Sequence, residues 1–389
     1  MRSTLSLSLF LTLATVARAQ IAPGQEVNVA IGAECPAGTV SIRPGRCRAP
    51  TMTPPNLVDY RPRSTVAAAP TTQRKAKFPV TDWHGHPQGS LGSLAAIRAL
   101  GLTLDSLNIR VMVAADRLSG DRLRATRARL DSVPEMRDRI KLMAGYDFRD
   151  VGPAWAAKAV KQLEADVAAG AVAVGEIQQG FGLSTKKADG TRLTLNDPDL
   201  APFWEACARL KMPVFIHVAD PAQFFEPIDA NNERWLELSL FPGRRYDPAQ
   251  FPAFETLMKE RDDLFRRQPR TTFVIAHLGW NGNDVPRLRA LFDKYPNVYS
   301  EIGAVLYEIG RQPRAYQDLF MHYPDRILFG KDSFQPDEYP YFWRVLESRD
   351  DYFDYYRPYH AFWKLYGLGL PDAVLKKVYS ENAARLMRK

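Results

Sequence analysis

The sequence predicts an α/β protein, a (β/α)8 barrel of the TIM type with loop insertions after the fifth and eighth strands and an N-terminal extension. Three observations predict it. From Lys75 onward, short β-branched runs alternate with longer amphipathic stretches, the rhythm of βα units wrapped around a parallel sheet. The β-branched runs number eight, and the units they begin spread over residues 75–389, more than the roughly 250 residues of a usual barrel, which leaves room for insertions. The composition, 46% apolar and 25% charged, is that of a folded chain with a large core and excludes a disordered one. An open doubly wound sheet is the alternative architecture.

The elements follow in chain order. Arg2, the apolar stretch Leu5 to Val16 and the small residues Ala17 and Ala19 before Gln20 form the pattern of a secretory signal peptide over residues 1–19, so a secreted or periplasmic protein is expected. That stretch falls short of the roughly 20 residues a membrane span needs, and no later segment reaches them uncharged, so no stable membrane insertion is expected after cleavage. The rival reading is an uncleaved tether. Residues 20–74 are rich in Pro, Gly, Thr and Ala and read as an extension or linker; residues 75–389 read as the barrel. Of the three cysteines, Cys35 and Cys47 bracket a loop-like stretch containing Pro36, Gly38, Pro44 and Gly45 that a disulfide could close, and Cys207 lies in a helical pattern as a buried inert thiol. The formal charge is +8, from 52 basic residues interspersed with 44 acidic ones, which excludes a nucleic-acid footprint.

Strands are predicted at 78–82, 108–113, 140–145, 171–177, 213–218, 271–277, 297–302 and 326–330, and helices at 155–168, 200–210, 254–267, 285–295 and 315–322. Asn196 to Asp199 and Asn283-Asp284 supply capping chemistry before two of these helices. Two long stretches, Asp220 to Gln250 and Ser333 to Leu370, follow strand C-termini, where loops of a barrel build the pocket. The second is crowded with aromatics and reads mainly as a satellite core.

Of the six histidines, His84, His86, His217 and His277 fall at or just past the ends of predicted strands. Alternate residues on an extended chain point the same way, so both imidazoles of His84-Gly85-His86 can reach one ion. Asp332 follows the eighth strand. The set His84, His86, His217 and Asp332 would hold a divalent ion and leave a position open for water or substrate; three nitrogens and one oxygen suit Zn, with Mn or Fe as alternatives. Asp332 could also take the proton of an activated water. His322 and His360 read as structural, and Lys331 should point away from the ligands.

The segments Asp82-Trp83-His84-Gly85-His86-Pro87, strand-terminal His217 and His277, Gly330-Lys331-Asp332-Ser333 and Tyr379 to Leu386 resemble the amidohydrolase superfamily, in particular its amidohydrolase-related (amidohydrolase 2) branch of metal-dependent hydrolases and decarboxylases. The resemblance implies a distorted barrel with one divalent ion on His84, His86, His217 and Asp332, and either a ligand or a catalytic role for His277. The fourth strand offers Glu176 and no lysine, a departure that argues for a mononuclear site; Glu176 is a candidate ligand, orienting partner or substrate contact. Glu301 is a weaker candidate. The leading reading is a hydrolase of a small amide, ester or lactone, in which Asp332 shuttles the proton and His277 stabilises the oxyanion. The alternatives are a non-oxidative decarboxylase or hydratase of an aromatic or unsaturated acid at the same site, and a non-catalytic binding protein with a structural metal. A small-molecule substrate is the expected partner, and the sequence is compatible with a homodimer.

Overall fold

The computed structural model describes residues 21–67, 73–178, 180–360 and 362–387; the leader at 1–19 lies outside the described residues. The chain divides at Ser64 into two compact units. In the first, within the stretch read as an extension, Glu26–Asn28, Val40–Arg43 and Arg46–Arg48 form a three-stranded antiparallel sheet with Arg46–Arg48 in the middle. The Cys35–Cys47 disulfide pins the loop to that central strand.

The second unit is the barrel. Its strands run Val80–His86, Ile109–Leu118, Ile140–Ala144, Ala171–Ile177, Val214–Ile216, Phe273–Ile275, Val298–Glu301 and Ile327–Leu328, each parallel to the next in chain order. Asp332–Ser333, just beyond the eighth strand, pairs in parallel with Gly85 and His86 of the first, and the Trp83 N–H donates to the Phe329 carbonyl at 3.0 Å. One terminal stretch therefore meets both edges of the sheet and closes it, which removes the open edges.

All eight predicted strands are present. The fourth, with β-branched residues and no polar alternation because both faces are covered, occupies the predicted span end to end. The helices Trp155–Ala168 and Phe254–Arg267 also match their predicted limits; Ala156, Ala159 and Leu163 of the former are buried at helical spacing. Asp197 and Asp284 cap as the sequence suggested, accepting from Asp199 N and Arg287 N, each at 3.0 Å. Two helices that the sequence reading did not place, Leu94–Leu107 and Gly120–Asp131, follow the first two strands.

Two apolar groups divide the core. Trp83, Val113, Met143, Ala173, Phe215, Val274 and Leu328 fill the barrel interior, and a larger group packs the outer faces of the strands against the helices. Among the described residues, no helix is long and apolar enough to cross a membrane.

Candidate metal centre

The first strand runs four residues beyond its predicted end, to His86, because the closing stretch supplies its backbone partners. His84 Nε2 and His86 Nε2 each lie 3.5 Å from Glu176 Oε2, and 3.8 and 3.7 Å respectively from Asp332 Oδ1. The ligand atoms of His84, His86 and Asp332 lie within 4.8 Å of one another, and so do those of Glu176, His217 and His277. Glu176 reaches this place through a local irregularity: between the pairs Val174–Val214 and Ile177–Ile216 of the fourth and fifth strands, two residues, Gly175 and Glu176, stand opposite one, Phe215. Such a bulge turns a side chain to the other face of its sheet. Gly175 sits in that bulge at φ 138°, where a Cβ would come within 2.5 Å of the Phe215 carbonyl oxygen. Asp332 is also in the left-handed region, at φ 76°, as is His277 at φ 57°, conformations that cost energy and gather at functional sites.

Each imidazole is held from behind. His84 Nδ1 lies 3.2 Å from Glu301 Oε1, His86 Nδ1 3.1 Å from Asp116 Oδ1, and His277 Nδ1 2.7 Å from the Gly303 carbonyl. Acceptors at Nδ1 place the proton there and leave the Nε2 lone pair for the interior. Glu301 also accepts the His277 and Gly303 backbone N–H groups, the former at 2.7 Å. Gly330 makes room for this, since a Cβ there would overlap Glu301 Oε2.

His217 is brought beside the quartet. Its Nδ1 meets the other oxygen of Glu176 at 2.8 Å, and its Nε2 receives the Trp280 indole N–H at 3.4 Å. All the residues named from the sequence, His84, His86, His217, His277, Glu176 and Asp332, are brought to this one place, and Glu176 lies between the pair His84 and His86 on one side and His217 on the other. With its Nδ1 proton committed to Gly303, neutral His277 presents a lone pair and is equipped to accept a hydrogen, not to donate one to an oxyanion.

Burial penalises charge at every one of these groups, and the neighbours decide the balance. At His84 the carboxylates of Glu176, Glu301 and Asp332 outweigh desolvation and hold the pKa well above the usual imidazole value. At His86 burial is overcome by Asp116 and Glu176, giving about 9; at His217 it is overcome by Asp220 and Glu176, giving about 10. His277, desolvated and beside His217, is lowered. Glu176 and Asp332 are held below the carboxylate range despite burial, chiefly by His84. The centre attracts positive charge.

A divalent ion fits this site on two observations. Metal–donor bonds of roughly 2.0–2.2 Å around a tetrahedral ion set its donors roughly 3.3–3.6 Å apart, close to the 3.5–3.8 Å between the two imidazoles and the carboxylates of Glu176 and Asp332. His84 Nε2 is buried without a hydrogen-bond partner, a polar atom a metal would satisfy. His84, His86, Glu176 and Asp332 would hold the ion, with His217 and His277 offering further ligand atoms beside them. Asp116 was missed because the predicted second strand stops at Val113, whereas it runs to Leu118 and carries Asp116 to the rim. The strand-end rule that found the histidines would have found it.

Barrel and site together define a metal-dependent α/β-barrel enzyme. The family model described as Amidohydrolase matches residues 119–389, and the chain belongs to that family. His84 and His86 precede the matched span, and it is the fold that joins them to it. The structure is similar to an uncharacterised TIM-barrel protein from Bordetella bronchiseptica, at 15% identity over 80% of this chain and 98% of that one, with a TM-score of 0.50. It is also similar to a 2,6-dihydroxybenzoate decarboxylase from Rhizobium (16% identity, 80% and 98% covered, TM-score 0.45) and to a 4-oxalomesaconate hydratase from Rhodopseudomonas palustris (14%, 79% and 95%, 0.43). These likenesses are of fold. No curated protein matches the sequence.

Proposed function

We propose that the protein hydrolyses a small amide, ester or lactone with one divalent ion, Zn by its nitrogen and oxygen donors, held by His84, His86, Glu176 and Asp332. The observation that carries this reading is the incompleteness of the quartet: His84 is fully buried, while the Asp332 side chain is 35% exposed and marks the open side. When bound, the ion supplies Lewis acidity toward a water and a substrate carbonyl. The chain's own residues handle the proton. Asp332 takes it from the attacking water and returns it to the leaving group as the carbonyl–heteroatom bond breaks. Neutral His277 orients that water by accepting its second hydrogen at Nε2. Glu301 and Asp116 keep two imidazoles in the donating tautomer, and His217 anchors Glu176. We also propose export, directed by the leader at 1–19 and consistent with the Cys35–Cys47 disulfide.

The lyase reading uses the same residues. Arginines lining the cleft beside His86 and Glu176 favour it in so far as they select a carboxylic acid. Turnover in oxygen-18-labelled water separates the two. Label in a newly formed carboxylate, with the metal present by elemental analysis, is the expected result; release of carbon dioxide with no water incorporated, or water added without bond cleavage, would replace the hydrolase with the lyase.

A further inference from the structure

We infer that the cleft next to the metal centre is an oxyanion subsite, so that the substrate carries a carboxylate- or phosphate-type group at the end remote from the bond that reacts. This rests on the reading that the quartet is the reactive end. A cavity of about 850 Å³ is lined by Glu176 and Gln178 on its metal side and by Arg117, Arg122, Arg149 and Lys158 away from it. A second, of about 570 Å³, opens on His86 and shares Asp116, Arg117, Arg122 and Gln178 with the first. Together they make one path from the ligands to a group of cations.

The carboxylates along this path are already committed. Glu176 faces the imidazoles, Asp116 holds His86 at 3.1 Å, and Asp147 accepts two bonds from Arg149 Nε at 3.0 Å. Arg117, Arg122 and Lys158 form no ion pair with any described residue. Unpaired cations on a convex surface are merely solvated, but in a concavity beside a reaction centre their fields add at one place.

The position of Arg117 is itself built. Between the second and third strands, Ala114 to Leu118 is matched by only Leu142 to Ala144, and the extra residues carry Asp116 and Arg117. Arg117 takes φ 51°, and its Cα lies where a Cβ on Gly145 would approach to 2.3 Å. The same irregularity thus aims Asp116 at His86 and roots a guanidinium beside it. Phe148 and Trp155, with ring centroids 5.2 Å apart, give the cleft an apolar wall for the body of the substrate. A guanidinium that meets a planar oxyanion makes charge-assisted, bidentate bonds.

The test is calorimetric binding to the metal-loaded full-length protein, with benzoate, isophthalate and 3-phosphonobenzoate as probes. Isophthalate should bind at least about tenfold more tightly than benzoate, the worth of one or more charge-assisted bonds. The double variant Arg117→Gln/Arg122→Gln should lose that preference while keeping its metal by elemental analysis. Tighter binding of the phosphonate than of isophthalate would assign the subsite to a phosphate-type group, and the reverse order to a carboxylate. Equal affinities for benzoate and isophthalate, or a preference that survives in the double variant, would overturn the inference. Binding is read here, not turnover, so that result would leave the hydrolase reading standing, whereas a protein without metal would sink that reading independently.

Discussion

Around Arg234 a guanidinium donates to Glu237 at 2.6 Å and to His360 Nε2 at 3.1 Å, whereas around His84 the carboxylates of Glu176, Glu301 and Asp332 meet imidazoles and no arginine or lysine side chain among the described residues. Both clusters are buried in the barrel unit and built from His and acidic residues. In the first, the cation is part of the chain: Arg234 also stacks 4.3 Å from the Tyr307 ring, and Arg244 reaches Glu237 at 2.5 Å. A guanidinium cannot accept a hydrogen bond, so His360 receives one at Nε2 and stays neutral, its pKa pushed down by burial to about 4. In the second, His84, His86 and His217 are pulled the opposite way, toward protonation. The comparison teaches that histidines and acids converging without a resident cation define a place for an added one, while the same groups around an arginine already hold their positive charge.

Removing the cation from each cluster gives the largest contrasts. Asp332→Ala or His84→Ala should lose the metal, measured by elemental analysis, and lower kcat/KM by about 10³–10⁴-fold with the fold intact by circular dichroism. Full metal retention in both would refute the quartet. Arg234→Ala should instead keep the metal and lose about 1.5–3 kcal/mol of stability in denaturant unfolding, because Glu237 loses its buried partner and keeps only the partly exposed Arg244. If Arg234→Ala lost metal and kept stability, the distinction between the clusters would fail.

Acid separates them next. The folded-state pKa of His360, about 4, lies below the ordinary value of 6.5, so the unfolded chain binds the proton first. Stability conferred by this group is full above pH 6.5 and is lost as pH falls toward 4, a change on the order of 2–3 kcal/mol. Glu237, held at about 2, extends the loss from pH 4.5 downward. His360→Gln should flatten the upper window in urea titrations at matched metal content; an unchanged slope would show that His360 is not the group responsible. The smallest effect belongs to the residues behind the donors. His217→Ala and Glu301→Gln should weaken metal affinity by about 10–100-fold, read by competition with a chelator, without abolishing it.

Much of this was legible in the chain. The limits of the strand Ala171–Ile177 and the helices Trp155–Ala168 and Phe254–Arg267 follow from β-branched runs and helical spacing, and strand ends carrying histidine mark the rim. The predicted ends of the first two strands were short because their extension depends on partners distant in sequence: Asp332–Ser333 for the first and the third strand for the second.

The sequence by itself determined an eight-stranded βα barrel and a set of imidazoles and carboxylates at its mouth, because residue type, spacing and alternation are local properties. Only the tertiary structure decided which of them face one another. Two bulges, one at Gly175-Glu176 and one at Asp116-Arg117, exist because neighbouring strands differ in length between fixed pairing points, and side-chain direction reverses with each added residue. That register put Glu176 beside His84 and His86, Asp116 behind His86 and Arg117 in the cleft, a choice no single strand could record.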